Sequence, residues 1–341
     1  MKKSRTRIGT LVALAAAAAL TLTSCAGGSG PAADGTGADE PATISDLKIV
    51  VPADPGGGWD QTGRALSQLV TQEKIVDSAP VTNVGGAGGT VGLAQLANEK
   101  DANTLMVMGL VMVGAVETNA SAVRIEDMTP IARLTDEPLV VVVPADSKYD
   151  TLEDLVEDVV DKGQAVTITG GSAGGADHIL AGLMLEAAGL DGTEIAEKLN
   201  YTPNSGGGEA TSLILGGKVA AGISGVGEFL QHIEAGTMKA LAVSSEKPVS
   251  QLPKVPTVTD AGYDVVLTNW RGVIAPGGIS DGEREELVRI VTELHDSSAW
   301  TKELETRGWT DAFLTGAEFD DFLTGNISDV TATLKNIGLV G

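Results

Sequence analysis

Two glycine-rich loops, Pro55-Gly56-Gly57-Gly58-Trp59-Asp60 and Gly85-Gly86-Ala87-Gly88-Gly89-Thr90, each lie between an apolar strand-like run and a helix-like one. Backbone N–H groups at a helix start lack an internal acceptor, and the aligned peptide dipoles add partial positive charge there. A carboxylate or phosphate can be held at such a place without a lysine. A pair of these cradles is the chemistry of a small-anion site. The same unit of strand, glycine loop and helix returns as Gly170-Gly171-Ser172-Ala173-Gly174-Gly175 and as Asn204-Ser205-Gly206-Gly207-Gly208. Ligands of open α/β sheets bind outside the carboxyl ends of the strands, so four such loops would meet in one crevice, two from each half of a clamshell. For any single loop, tight turning and close helix packing explain the glycines as well.

Catalytic readings are weaker. Gly170-Gly171-Ser172-Ala173-Gly174 satisfies the G-x-S-x-G elbow of serine hydrolases, which leaves a hydrolase using Ser172 as a remote alternative. Such an enzyme needs a downstream histidine held by an acid. His232 and His295 follow, but in no recognisable catalytic loop. Gly216-Gly217-Lys218 is followed by valine and lacks the upstream glycine of a phosphate loop. Dispersed histidines and a single cysteine offer no metal spacing and no disulfide framework. No catalytic residue, metal site or cofactor is expected.

The elements that must carry these loops alternate along the chain. Strand-like runs are Leu47 to Val51, Leu105 to Met108, Leu139 to Val143, Val166 to Thr169, Val219 to Ile223, Ala240 to Val243 and Val265 to Ile274. Helical spacing appears in Ala65, Leu66, Leu69 and Val70, in Ile179, Leu180, Leu183, Met184 and Ala187, and in Leu287, Ile290, Val291 and Leu294. This alternation predicts an α/β fold with mostly parallel sheets.

Lys2, Lys3, Arg5 and Arg7, followed by the apolar stretch Leu11 to Leu20, form a secretory leader too short to span a bilayer. Its ending, Leu22-Thr23-Ser24-Cys25, resembles a bacterial lipobox, so residues 1–24 are expected to be removed and Cys25 lipidated. The alternative is ordinary cleavage nearby with a free thiol. Residues 25–43 carry almost no large apolar side chain and read as a flexible tether. The remaining length exceeds one typical core and argues for two lobes. The net charge of −23, carried despite the basic leader, excludes nucleic acid and anionic lipid as partners. An anion site on this chain must therefore depend on short-range, preorganised donors.

Pro55 to Asp60 with Arg64, then Asn83 through Gly92, Leu252-Pro253-Lys254-Val255-Pro256-Thr257 and Trp270-Arg271-Gly272-Val273-Ile274-Ala275-Pro276 resemble, in this order, the Bug/TctC family of extracytoplasmic solute receptors. The resemblance covers essentially the whole chain beyond the tether. It implies a two-lobe, type II periplasmic-binding-protein-like fold, two α/β domains joined by crossing strands. Lobe I would comprise residues 44–143 and 268–341, and lobe II residues 144–267. The implied function is capture of a small organic carboxylate and delivery to the large and small membrane subunits of a tripartite tricarboxylate transporter, by a monomer. The wording of Pro52 to Thr62 looks like the tricarboxylate branch, with citrate first and dicarboxylates or aromatic acids as alternatives.

Carried over by position, the loop containing Pro55, Gly56, Gly57 and Gly58 and the loop containing Gly85, Gly86, Ala87, Gly88, Gly89 and Thr90 would present amides to one ligand carboxylate, directly or through water. Asp60 would orient a ligand hydroxyl or water, or cap a helix, and Trp59 and Thr62 would wall the pocket. In lobe II, Ser172, Gly174, Gly175 and His178 would dock a distal carboxylate, with Tyr201, Asn204, Ser205 and Gly206 alongside. Trp270 and Arg271 are assigned to packing, and no arginine is singled out as counter-charge.

Overall fold

The computed structural model describes residues 43–204 and 207–341. The leader, Cys25 and nearly all of the tether, with Ser205 and Gly206 of the fourth loop, lie outside the described residues. The chain begins with β1 (Lys48–Val51), α1 (Gly58–Gln72), β2 (Val81–Asn83), α2 (Thr90–Leu96), β3 (Thr104–Gly109) and α3 (Leu110–Thr118). The long β4 (Thr129–Pro144) leads to α4 (Leu152–Lys162), β5 (Thr167–Gly170), α5 (Ala176–Ala187), α6 (Gly192–Lys198) and β6 (Asn200–Pro203). Next come α7 (Gly207–Leu215), β7 (Ala221–Gly225), α8 (Val226–Glu234) and β8 (Met238–Val243). The chain closes with β9 (Thr268–Ala275), α9 (Asp281–His295), α10 (Ser298–Arg307), β10 (Thr310–Thr315) and α11 (Gly316–Asn336).

The strands join in the order β2-β1-β3-β9-β4-β7-β5-β6, with β8 and β10 also paired to β4. β4 serves two groups of strands. Its first part pairs with β9 and β10, and its second with β7 and β8. The expectation of mostly parallel sheets needs correction. β1 is parallel to β2 and β3, and β5 to β6 and β7, whereas the pairs made by β4 and β9 are antiparallel. Strands that link one group to the other meet their neighbours running the opposite way, which right-handed β-α-β crossovers alone do not produce.

Burial follows the sequence pattern. Ala65, Leu66, Leu69 and Val70 form the inner face of α1, and Leu139 to Val143 of β4 are covered on both faces. The return from β8 to β9 is tied at Ser244, whose Oγ accepts from Leu139 N–H at 2.9 Å and donates to the Leu267 carbonyl at 2.5 Å.

Helix starts differ systematically. α4, α6, α9 and α10 are capped by the side chains of Thr151, Asp191, Ser280 and Ser297. α1, α2, α5 and α8 begin after Gly57, Gly89, Gly175 and Gly225, with no side-chain cap. A glycine cap leaves first-turn amides unclaimed by any side chain of their own helix, free for an external acceptor.

Candidate functional site

The uncapped starts of α1 and α8 and the loops beside α2 and α5 surround a cavity of about 350 Å³, within the range of small-molecule pockets. In the first loop, Asp60 is a staple. Its Oδ2 accepts from Gly56 N–H and Arg64 Nε, each at 2.9 Å, and its Oδ1 accepts from Asn83 Nδ2 at 2.9 Å. Burial alone would push this carboxyl up, but donation from Arg64, Asn83 and Gly56 outweighs it and holds the pKa below the ordinary value. So fixed, the loop turns Gly57, Gly58 and Trp59 onto the cavity. The first intrahelical bond runs from Gln61 N–H to the Gly57 carbonyl, so the amides of Gly58, Trp59 and Asp60 precede the ladder.

In the second loop every residue from Gly86 to Gly89 has positive φ, at 126°, 47°, 62° and 93°. Successive residues in this region turn their amides into a concavity that accepts anions. Space also requires the glycines here. A Cβ on Gly88 would lie 2.4 Å from the Ala115 Cβ, and one on Gly89 would lie 2.8 Å from the Trp59 ring.

Gly171, Ser172, Ala173, Asp177, Pro203, Asn204, Glu209, Ser224 and Glu228 also line the cavity, with Asn269 and Arg271 from β9 and with Pro52, Ala53, Val111 and Asn119. Thr118 Oγ1 donates to the Ala173 carbonyl at 3.3 Å, so α3 touches the 171–174 loop across the cavity's edge. Arg271 is 1% exposed and paired with Glu137 of β4, while its Nε and Nη1 have no acceptor. Its guanidinium lies against Gly58, where a Cβ would be 2.3 Å from Nη2. A buried cation beside an uncapped helix start adds fixed positive charge to that wall of the cavity, which favours a carboxylate there. Asp177 and Glu228 are both raised to about 7. Burial is the main cause, with repulsion from Glu137 added, and Arg271 opposes the shift.

The sequence profile of the tripartite tricarboxylate transporter family receptor matches residues 62–339. The chain belongs to this family. BugT of Bordetella pertussis is 29% identical over 293 residues, spanning 83% of this chain and 85% of BugT. Among solved structures, MatC of Rhodopseudomonas palustris with bound malate superposes with a TM-score of 0.74 at 21% identity, covering 85% of this chain and 98% of MatC. Rpa4515 of R. palustris with adipate gives 0.77 at 19%, covering 86% and 97%. These likenesses carry the two-lobe binding-protein fold. The chain is thus a periplasmic solute-binding receptor and not an enzyme. No helix among the described residues is long and apolar enough to cross a membrane.

The receptor's cavity gathers some of the residues named from sequence and leaves others outside its lining. Gly57, Gly58, Trp59, Gly86, Ala87, Gly88, Gly89, Ser172 and Asn204 line it. Pro55, Gly56, Asp60, Thr62, Gly85, Thr90, Gly174, Gly175, His178 and Tyr201 do not. Several of them have structural partners: Thr62 Oγ1 donates to the Gly58 carbonyl, and Thr90 Oγ1 to that of Ala87. Gly174 N–H donates to His178 Nδ1 at 3.1 Å, and the imidazole stacks on Tyr201 at 4.1 Å. Burial lowers its pKa to about 4, so it offers an anion no charge at neutral pH. Tyr201 donates its hydroxyl to the Gly171 carbonyl at 3.0 Å, bracing a lining residue from behind. Among the described residues, no hydrogen bond joins His178, His232 or His295 to Ser172.

Sequence reasoning assigned Arg271 to packing and passed over Asp177, Glu209, Ser224, Glu228 and Asn269. A signal was present in β9. Asn269 and Arg271 stand two apart in an otherwise apolar strand, hence on one face, and a polar pair on the face of a buried strand needs a polar partner.

Proposed function

We propose that this receptor captures a small organic carboxylate on the donor wall formed by the amides of residues 57–59 and 86–88, with the Arg271 charge behind it. The observation carrying this reading is the uncapped start of α1 on the cavity, with the buried Arg271 guanidinium seated against Gly58. Malate and adipate in the two R. palustris structures support the ligand class. The wording of Pro52 to Thr62 favours citrate or another tricarboxylate within it. Residues 44–143 with 268–341 and residues 144–267 act as the two lobes. A ligand touching both stabilises the closed form, because only differential affinity shifts such an equilibrium. The loaded receptor, tethered outside the membrane through Cys25, is read by the large and small transporter subunits.

The test is a thermal-shift screen followed by calorimetry on protein beginning after Cys25, freed of ligand by unfolding and refolding. Citrate, tricarballylate, C4 and C5 dicarboxylates and aromatic acids are the probes. Stabilisation by one acid, reduced in Arg271→Met, is expected. A folded preparation that binds none of them overturns the reading. Metabolic labelling with a fatty acid, present in the full chain and absent from Cys25→Ala, tests the anchor.

A further inference from the structure

The two faces of β9 meet different surroundings. Trp270 turns toward α11, where its ring packs on Phe319 and Phe322 and its Nε1 donates to Asn326 at 3.0 Å. Asn269 and Arg271 lie on the opposite face and line the cavity. Asn269 stands across from Glu137 in the β4–β9 ladder, two residues before Leu139 opens the pairing of β4 with β7. It is 8% exposed, and its side-chain amide makes no hydrogen bond among the described residues. Oδ1 is enclosed without a donor, and the atom open to the cavity is the donor Nδ2.

The strand itself gives no reason for an asparagine at this place. Asparagine is disfavoured within strands, and a buried amide with no internal partner costs free energy that a leucine of similar size avoids. Buried polar groups are nearly always paired, so an unpaired donor that faces a cavity points to a partner from outside the chain. Its position says which part of that partner it meets. Same-face neighbours on a strand are about 6–7 Å apart, and Arg271 is the neighbour that abuts Gly58 at the start of α1. Asn269 therefore presents its N–H along the strand from the wall that holds the first carboxylate, toward the strands paired with the second part of β4. An amide nitrogen donates and carries no charge, so what it seeks is an oxygen acceptor.

We infer that Asn269 is a specificity-determining contact, with Nδ2 donating to a second oxygen group of the ligand, apart from the carboxylate on the amide wall. The inference rests on the carboxylate-receptor reading and sharpens it. An acid whose remainder is wholly apolar would cover Nδ2 and leave it unpaired, and a site built around a hydrogen bond rejects the analogue that lacks the matching group. A distal carboxylate and a hydroxyl both offer the required acceptor.

Matched acids provide the test: butyrate, succinate and malate; pentanoate, glutarate and 2-hydroxyglutarate; tricarballylate and citrate. Calorimetry on ligand-free protein compares them in wild type, Asn269→Leu, which keeps the volume and deletes the amide, and Asn269→Ala. The tightest acid is expected to lose about tenfold or more in affinity in both variants. The urea midpoint of the ligand-free protein should hold or rise, because no internal hydrogen bond is removed. A loss confined to the hydroxy acids assigns the contact to a hydroxyl, and a loss shared with their unsubstituted partners assigns it to the distal carboxylate. Unaltered affinity for every acid overturns the inference and leaves the receptor reading intact. Weaker binding with a matching fall in ligand-free stability gives Asn269 a structural role and overturns it too, as does failure of both variants to fold by circular dichroism. If one variant folds, it decides. Binding of no acid by wild type overturns both readings.

Discussion

Arg271 on β9 and Glu137 on β4 form an ion pair with both side chains 2% exposed, and the guanidinium keeps two nitrogens without acceptors. Glu137 also accepts from Gly227 N–H at the start of α8 at 3.0 Å. One carboxylate thus joins the site's cation to a helix that contributes Glu228 to the cavity. Removing one partner of a buried pair strands the other charge, at a cost of about 3–5 kcal/mol. Glu137→Gln should therefore lower the urea midpoint sharply. Arg271→Met, which removes both charge and donors, should weaken ligand binding by roughly tenfold to a hundredfold, the range for charge-assisted hydrogen bonds. Unaltered affinity in that variant would remove Arg271 from the site.

The glycine loops were legible because φ and space leave few alternatives, and the residues from Gly86 to Gly89 do line the cavity. Helix faces were legible because apolar spacing is local, as in Leu66 and Leu69 of α1. The first part of β4, from Thr129 to Pro138, was not anticipated. Its mixture of Arg133, Thr135, Asp136 and Glu137 is made stable by pairing with β9, more than a hundred positions away. The partnership of Glu137 with Arg271 was illegible for the same reason, since it exists only once β4 and β9 are adjacent, although Asn269 and Arg271 on one face of β9 signalled that some polar partner was needed.

Asp60 was read as either a ligand-orienting group or a cap, and its three donors come from its own loop and neighbours. Arg64 is half-exposed and contributes little. Loss of the Gly56 and Asn83 bonds should cost Asp60→Ala about 1–3 kcal/mol of ligand-free stability. Chemical denaturation without ligand measures it. A variant as stable as wild type would show that the staple is not what holds the loop.

Gly88→Val should abolish binding, because its positive φ of 62° disfavours a branched residue and its Cβ would press on Ala115. Gly325→Ala on α11, where a Cβ meets nothing within 4 Å, is the matched control and should bind normally. Calorimetry with any acid found to bind distinguishes them. Wild-type affinity in Gly88→Val would exclude the second loop from the site.

Ser244 is fully buried and joins β4 to the segment that returns to β9 through Leu139 N–H and the Leu267 carbonyl. Ser244→Ala leaves a buried donor and a buried acceptor unfilled, at about 1–3 kcal/mol each before relaxation. The expected result is a lower melting temperature with ligand contacts unaltered. Ser244→Cys should recover only part of the loss, since a thiol is a weak donor and acceptor.

Asp177 and Glu228 also set a pH dependence with a definite sign. Their folded pKa of about 7 lies above the ordinary carboxyl value, because burial and then the Glu137 charge oppose ionisation. Between the unfolded and folded values the native state holds protons that the unfolded chain releases. Their contribution to ligand-free stability is therefore complete below the unfolded pKa and is lost as pH rises through 7. His178 works the other way, since burial depresses it from 6.5 to about 4, and its contribution is lost as pH falls below 6.5. Comparing wild type with the Asp177→Asn, Glu228→Gln double variant cancels His178, which both contain. The melting temperature of wild type should fall relative to that of the double variant as pH is raised from about 5 to 8. A constant difference across that window would mean that the two carboxyls titrate as exposed groups do, and that the acidic wall is solvated.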